Sequence, residues 1–138
     1  MISQSGETKD LSNIVAECKG IEGVRTLGII NVEGSTIARK VDYPIYIKVG
    51  REVSVAATKS MFHQALNLIM LATEIAEKKE SAPINVISEI REELLTIPSL
   101  VQKTIDMVEE DCRALAQLLY RKESIYLLAM RETFGIAK

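Results

Sequence analysis

The stretch "ISQSGET" near the start of the chain carries Ser3, Gln4, Ser5 and Thr8 in close succession, with Gly6 among them. Three hydroxyls and an amide so near together would suit a phosphate monoester, whose oxygens each take two or three donors. A short strand, a serine-rich bend and then a helix bring unpaired backbone N–H groups and the positive end of the helix dipole to one place. The bend contains no lysine or arginine, so neutral donors carry most of the binding. Glu7 is out of place beside an anion unless its carboxylate turns outward from the first helical turn, where it favours the dipole. A plainer reading makes Ser5 an N-cap with Thr8 at N3, worth about 1 kcal/mol. These residues alone do not separate the two readings.

Other chemistry-bearing residues point to less. His63 is the one histidine, and a single candidate base without a nucleophile motif is thin ground for catalysis. Lys59 opens a helix, where a cation gains nothing from the dipole, and reads as solvated. Glu109, Glu110 and Asp111 are consecutive, so they splay around a helix rather than converge on a metal. Met61, Met70 and Met107 sit among apolar neighbours and read as core filling. Cys18 and Cys112 stand far apart with no zinc or redox spacing, so both are expected to be small buried apolar residues in a reducing compartment. No metal and no cofactor is expected.

The elements that must position the bend follow from periodicity. Leu11, Ile14, Val15 and Cys18 have helical spacing, with Gly20 placed to end a helix running from about Glu7 to Lys19. "VRTLGIINV" is a continuous apolar run rich in β-branched residues, which predicts a strand covered on both faces, and "YPIYIKV" predicts another. Between them Gly34 and Ser35 offer a turn and N-cap for a short helix. A long helix from about Thr58 to Lys79 is apolar on most sides, as suits a deep interior or the space between packed layers. Alternating strands and helices predict an α/β fold with a mostly parallel sheet.

Beyond Lys79 two amphipathic helices are expected, with Pro83 and Pro98 near their starts, where a missing N–H costs least. In the second, Ile105, Val108, Cys112, Leu115 and Leu119 make one stripe. "SIYLLAM" then predicts a strand. The 138 residues suit one domain with a sizeable core. A net charge of −2 leaves no basic footprint for nucleic acid. The most apolar stretch, Met61 to Ala76, is broken by polar residues and too short to span a bilayer. A soluble, cytoplasmic protein is expected, with neither nucleic acid nor membrane as partner.

Three segments, "ISQSGET", "TLGIINVEGSTIAR" and "IYIKVGREVSVAATKSMFHQ", in this order and separation resemble the first sugar isomerase (SIS) domain of the glutamine:fructose-6-phosphate aminotransferase (isomerising) family, the glucosamine-6-phosphate synthases. The tail "FGIAK" is similar to the segment that leads into that family's second SIS domain. The likeness is strong over residues 2 to about 75, weak across the two linker helices and partial at 124–138.

The resemblance implies an SIS-type three-layer α/β/α fold, partial here: 1–80 a first SIS domain lacking its N-terminal part, 81–122 a helical linker, and 123–138 the first strand of a second SIS domain. It implies binding of fructose 6-phosphate or glucosamine 6-phosphate, with Ser3, Gln4, Ser5 and Thr8 holding the phosphate and Val55 and Ala57 lining the sugar. Ala57 stands where the family usually has serine, so that contact would be through the backbone alone. The family's Cys-Gly-Thr-Ser loop, its imine-forming lysine, proton-shuttling glutamate and ring-opening histidine have no counterparts here, so the isolated chain is expected to be inactive, with no catalytic residue of its own. Ala129-Met130-Arg131 departs from the family's Gly-Arg-Gly. An unpaired sheet edge points to a homodimer. The alternative is a non-enzymatic SIS module that senses a phosphosugar, since one fold serves both roles.

Overall fold

A computed structural model describes residues 1–53 and 58–126. They fall into two compact units that divide between Arg91 and Glu92. The first carries β1 (Ile2–Ser3), α1 (Lys9–Cys18), β2 (Leu27–Ile30), α2 (Thr36–Lys40), β3 (Tyr43–Tyr46), α3 (Lys59–Lys78) and the start of α4 (Ile84–Leu119). The strands form a parallel sheet in the order β1-β2-β3. The expected α/β architecture with a parallel sheet is therefore present.

β2 is central because its residues can be buried on both sides. Ile30 joins Val15, Ile37, Ala38 and Val41 in the main core, against which Met1, Leu11 and Tyr46 pack. Ile29, facing the opposite way in a strand of period two, is also buried, at 1% exposure. The register sets Ile2 and Ser3 against Ile29 and Ile30, and Ile29 and Ile30 against Ile45 and Tyr46. The three strands thus end level with one another.

Side chains lock the connections. Asp42 accepts hydrogen bonds from the Thr26 N–H and hydroxyl, both at 2.7 Å, joining the approaches to β2 and β3. Arg91 donates to Glu74 and Glu77 at 2.5 and 2.6 Å, fixing the first turns of α4 to the end of α3.

Two expectations on the helices need correction. No break occurs at Pro98: α4 runs from Ile84 to Leu119 with that proline inside it. Proline there deprives the Leu94 carbonyl of its partner. Nearby hydroxyls satisfy other carbonyls, Thr96 donating to Glu93 and Ser99 to Thr96, each at 2.7 Å, and such back-bonding accompanies helices that bend without ending. Cys112 is exposed rather than buried, because the stripe it shares with Ile105, Val108 and Leu115 is about half exposed within its unit. The strand expected at 124–130 falls mostly outside the described residues. No described helix is long and apolar enough to cross a membrane.

Candidate functional site

The bend between β1 and α1 is wound around its own hydroxyls. Ser3 is buried and its Oγ accepts the Gly6 N–H at 3.0 Å, while lying 3.0 Å from Thr8 Oγ1. Ser5 Oγ accepts the Glu7 N–H at 3.2 Å. Gly6 closes the turn at φ +68°, a conformation that favours glycine. The Ser3–Thr8 pair has two hydroxyl protons but only one bond between them, so one O–H remains to donate whichever way the pair is oriented. Ser5 accepts through its oxygen and keeps its own proton. The bend therefore holds two hydroxyl donors and the Gln4 amide without partners among the described residues.

α1 begins at Lys9, with Thr8 at the cap position and no side-chain cap bond. The plainer reading, Ser5 as N-cap, fails on this geometry: its hydroxyl serves the turn instead. The first-turn N–H groups of α1, from Lys9 to Leu11, have no intrahelical partners, and together with the hydroxyls they form the donor set expected for an anion.

A cleft of about 620 Å³ opens beside the bend. Gln4 contributes to it from the end of β1, Asn31, Val32 and Glu33 from the end of β2, and Lys48, Gly50, Arg51 and Glu52 from beyond β3. These are the carboxyl ends of three parallel strands, where open α/β sheets bind ligands. Asn31 ties two of the walls together, donating to the Gly50 carbonyl at 2.8 Å and accepting the Val49 N–H at 3.1 Å. Lys48 takes a left-handed φ of 50° in the same wall. Of the expected site residues, Ser3, Gln4, Ser5 and Thr8 share the bend but only Gln4 of them lines the cleft, whereas Val55 and Ala57 lie outside the described residues.

Two carboxylates have duties that the sequence did not disclose. Glu7 does not turn outward to serve the dipole of its own helix. Its Oε1 accepts the Thr36 N–H at 2.8 Å, at the start of α2. The Thr36 backbone and then its side chain hold the Glu7 carboxyl below its ordinary pKa, against the opposing effect of burial, and Arg39 adds a weaker lowering. Glu52 accepts the Thr58 N–H and hydroxyl at 2.8 and 2.9 Å, and also the hydroxyl of fully buried Ser60. These donors, Ser60 first, lower its pKa from 4.5 to about 2.

A group whose pKa is depressed by folding stabilises the fold above its unfolded pKa and loses that contribution as pH falls through the folded value. For Glu52 the window runs from 4.5 down to about 2. Glu52→Gln should therefore melt lower than wild type at pH 7, and the gap should narrow between pH 4.5 and 2. Melting curves at several pH values test this, and a gap independent of pH would refute it.

Met61, Met70 and Met107, expected as core filling, are instead exposed, whereas for His63 and Lys59 the structure supports the duller readings. His63 Nδ1 lies 2.9 Å from the Lys59 carbonyl one turn back, and Lys59 Nζ donates to the Arg51 carbonyl at 2.9 Å. Among the described residues no cluster of His, Cys, Asp and Glu is arranged for a metal.

Residues 1–74 match the SIS domain family. The chain belongs to that family. Relatives of this SIS chain include the glutamine–fructose-6-phosphate aminotransferase (isomerizing) of Clostridium tetani, 32% identical over 137 residues, 99% of this chain and 22% of that protein. The probable enzyme of the same name from Acanthamoeba polyphaga mimivirus is 36% identical over 138 residues, covering all of this chain and 22% of its own length. Among solved structures, the C-terminal domain of glucosamine-fructose-6-phosphate aminotransferase from Francisella tularensis superimposes with a TM-score of 0.77 at 31% identity, over 88% of this chain and 34% of that one. The SIS chain thus spans about a fifth of the length of these curated relatives. The likeness continues through α4, where the quoted motifs are weakest.

Proposed function

We propose that this SIS chain is the sugar-phosphate-binding part of the isomerase region of a glutamine:fructose-6-phosphate aminotransferase, the enzyme that turns fructose 6-phosphate and glutamine into glucosamine 6-phosphate and glutamate. In this reading Ser3, Gln4, Ser5 and Thr8 donate to the phosphate, and Val55 and Ala57 lie beside the sugar. Residues 1–80 are the first SIS domain, 81–122 the linker, and 123–138 the entry to a second SIS domain. The observation that carries the reading is the hydroxyl-bearing bend itself, at the carboxyl end of a parallel sheet and beside a cleft large enough for a hexose phosphate. The names of the aligned relatives supply the substrate class.

The bend offers binding and orientation but not the chemistry. Amino transfer to a ketose through an imine needs a lysine nucleophile and a positioned acid–base pair, which the family carries in segments without counterparts here. The chain alone should bind fructose 6-phosphate and make no glucosamine 6-phosphate from it with ammonia. A homodimer that covers the sheet edge and the helix faces completes the proposal.

Titration with fructose 6-phosphate, followed by amide NMR, tests the binding. Resonances of Ser3 to Thr8 should shift, while unphosphorylated fructose leaves them in place. Ser5→Ala removes one donor to a charged oxygen and should weaken the affinity about tenfold. Unchanged spectra at millimolar fructose 6-phosphate would overturn the reading.

A further inference from the structure

Strand pairing attaches the start of the bend to the cleft wall, the Gln4 carbonyl accepting the Asn31 N–H at 3.3 Å, while the part from Gly6 onward is held by α2. Three contacts meet there. The Gly6 carbonyl accepts the Ile37 N–H at 2.9 Å, the Glu7 carboxylate accepts the Thr36 N–H at 2.8 Å, and Gly6 lies so close to Ser35 that a Cβ on it would fall 1.9 Å from Ser35 Oγ. α2 depends on the contact in return. At five residues it is too short to persist by itself, and its own cap residue fails it: Ser35 makes no capping bond, and its buried Oγ has no partner among the described residues. Glu7, 29 positions earlier in the chain, supplies the cap instead.

We propose that Glu7 is a positioning residue for sugar-phosphate binding: its carboxylate clasps the start of α2 through the Thr36 N–H and so holds the bend Ser3–Thr8 in the form that accepts a phosphate. This rests on the function proposed above and adds a residue that does not itself donate to the ligand. The clasp has an electrostatic benefit as well. A carboxylate within an anion-binding bend would repel a phosphate dianion, and engagement with Thr36 and proximity to Arg39 offset that charge.

Four variants of the 138-residue chain separate reach from charge. Glu7→Gln keeps an oxygen at the same reach without the charge, and Glu7→Asp keeps the charge but is one methylene too short. Glu7→Ala keeps neither. Thr36→Pro cuts the same clasp from the other side, removing the N–H and with it the side-chain hydroxyl that also acts on Glu7, at a first helical position where proline is well tolerated. Ser35, already extended at φ −63° and ψ 165°, accommodates a following proline.

Fructose 6-phosphate affinity, measured by amide NMR on the folded population, should stay within about threefold of wild type for Glu7→Gln. It should fall about tenfold or more for Glu7→Asp, Glu7→Ala and Thr36→Pro, as expected when a charge-assisted bond is lost. Glu7→Asp combined with Thr36→Pro should be no worse than either alone, since both remove one contact. If Glu7→Ala does not fold, Thr36→Pro and Glu7→Asp carry the test. Wild-type affinity in those two variants would overturn the clasp while leaving the proposed function intact. Binding in Glu7→Gln more than about threefold tighter than in wild type would show the carboxylate to be a repulsive charge and would also overturn it. A wild-type chain that does not bind fructose 6-phosphate would instead remove the functional reading on which the clasp rests.

Discussion

Gly6→Ala is expected to lower stability by roughly 2–5 kcal/mol and to abolish measurable fructose 6-phosphate binding. Two separate costs add. Alanine at φ +68° enters the left-handed region, which is unfavourable by roughly 1–2 kcal/mol for a residue with a Cβ. Its methyl would also sit 1.9 Å from Ser35 Oγ and 2.6 Å from Ser35 Cβ, so bend and α2 must move apart. Overpacking of that kind costs roughly a further 1–3 kcal/mol. The sum is a large part of the stability of an ordinary domain, about 5–15 kcal/mol. Ser35→Gly should by itself be almost neutral, because it deletes a hydroxyl that has no partner and leaves a residue tolerated at an N-cap. Combined with Gly6→Ala it removes both colliding atoms, leaving Ile30 Cγ2 at 3.0 Å as the nearest neighbour. Urea unfolding should then show the double variant recovering the contact cost but not the backbone cost. A double variant no more stable than Gly6→Ala would show that the Ser35 contact is not the reason.

What could be read from the chain beforehand was what burial periodicity and local side-chain inventory encode. The apolar run around Leu27 to Ile30 announces a strand covered on both sides because Ile29 and Ile30, on opposite faces, are both buried. The helices at Lys9 to Cys18 and Lys59 to Lys78 were legible within about two residues from their apolar spacing, although the second buries only Ser60 and Thr73 and leaves most of its apolar residues exposed, contrary to the deep interior expected for it. That Ser3, Gln4, Ser5 and Thr8 share one bend was legible because they are neighbours in sequence. The partners of those residues were not. Glu7 meets Thr36 and Asn31 meets Gly50 only because parallel strands end level, a property of the register that no local window contains. Glu52 and Ser60 escaped notice for a related reason. A carboxylate eight positions before a serine says nothing until the chain between them turns back. At Pro98 a local rule pointed the wrong way, since its usual helix-ending effect gave way to an uninterrupted α4.

The support beneath the bend yields the second large effect. Ile30 is fully buried in the cluster with Val15, Ile37, Ala38 and Val41, and its Cγ2 is the core atom nearest the place where a Cβ on Gly6 would lie. Its backbone continues the same support, pairing with Ser3 on one side and accepting the Ile47 N–H at 3.0 Å on the other. Ile30→Ala removes the whole branch and should cost roughly 2–5 kcal/mol, with the larger values expected where rigid neighbours cannot collapse into the cavity. Here those neighbours include the bend and α2, so fructose 6-phosphate affinity should fall as well, even in the fraction that stays folded. Ile30→Val is the informative partner. It deletes Cδ1 but retains Cγ2 under the bend, so a stability loss of only about 0.5–1.5 kcal/mol is expected, with affinity near wild type. Cδ1 is also the atom 2.9 Å from where a Cβ on Gly28 would lie. Ile30→Val should therefore make Gly28→Ala less harmful than it is in the wild-type background, a coupling that a double-mutant cycle in urea would read directly. Strict additivity of those two changes, or undiminished affinity in folded Ile30→Ala, would mean that the bend is held without help from the core below it.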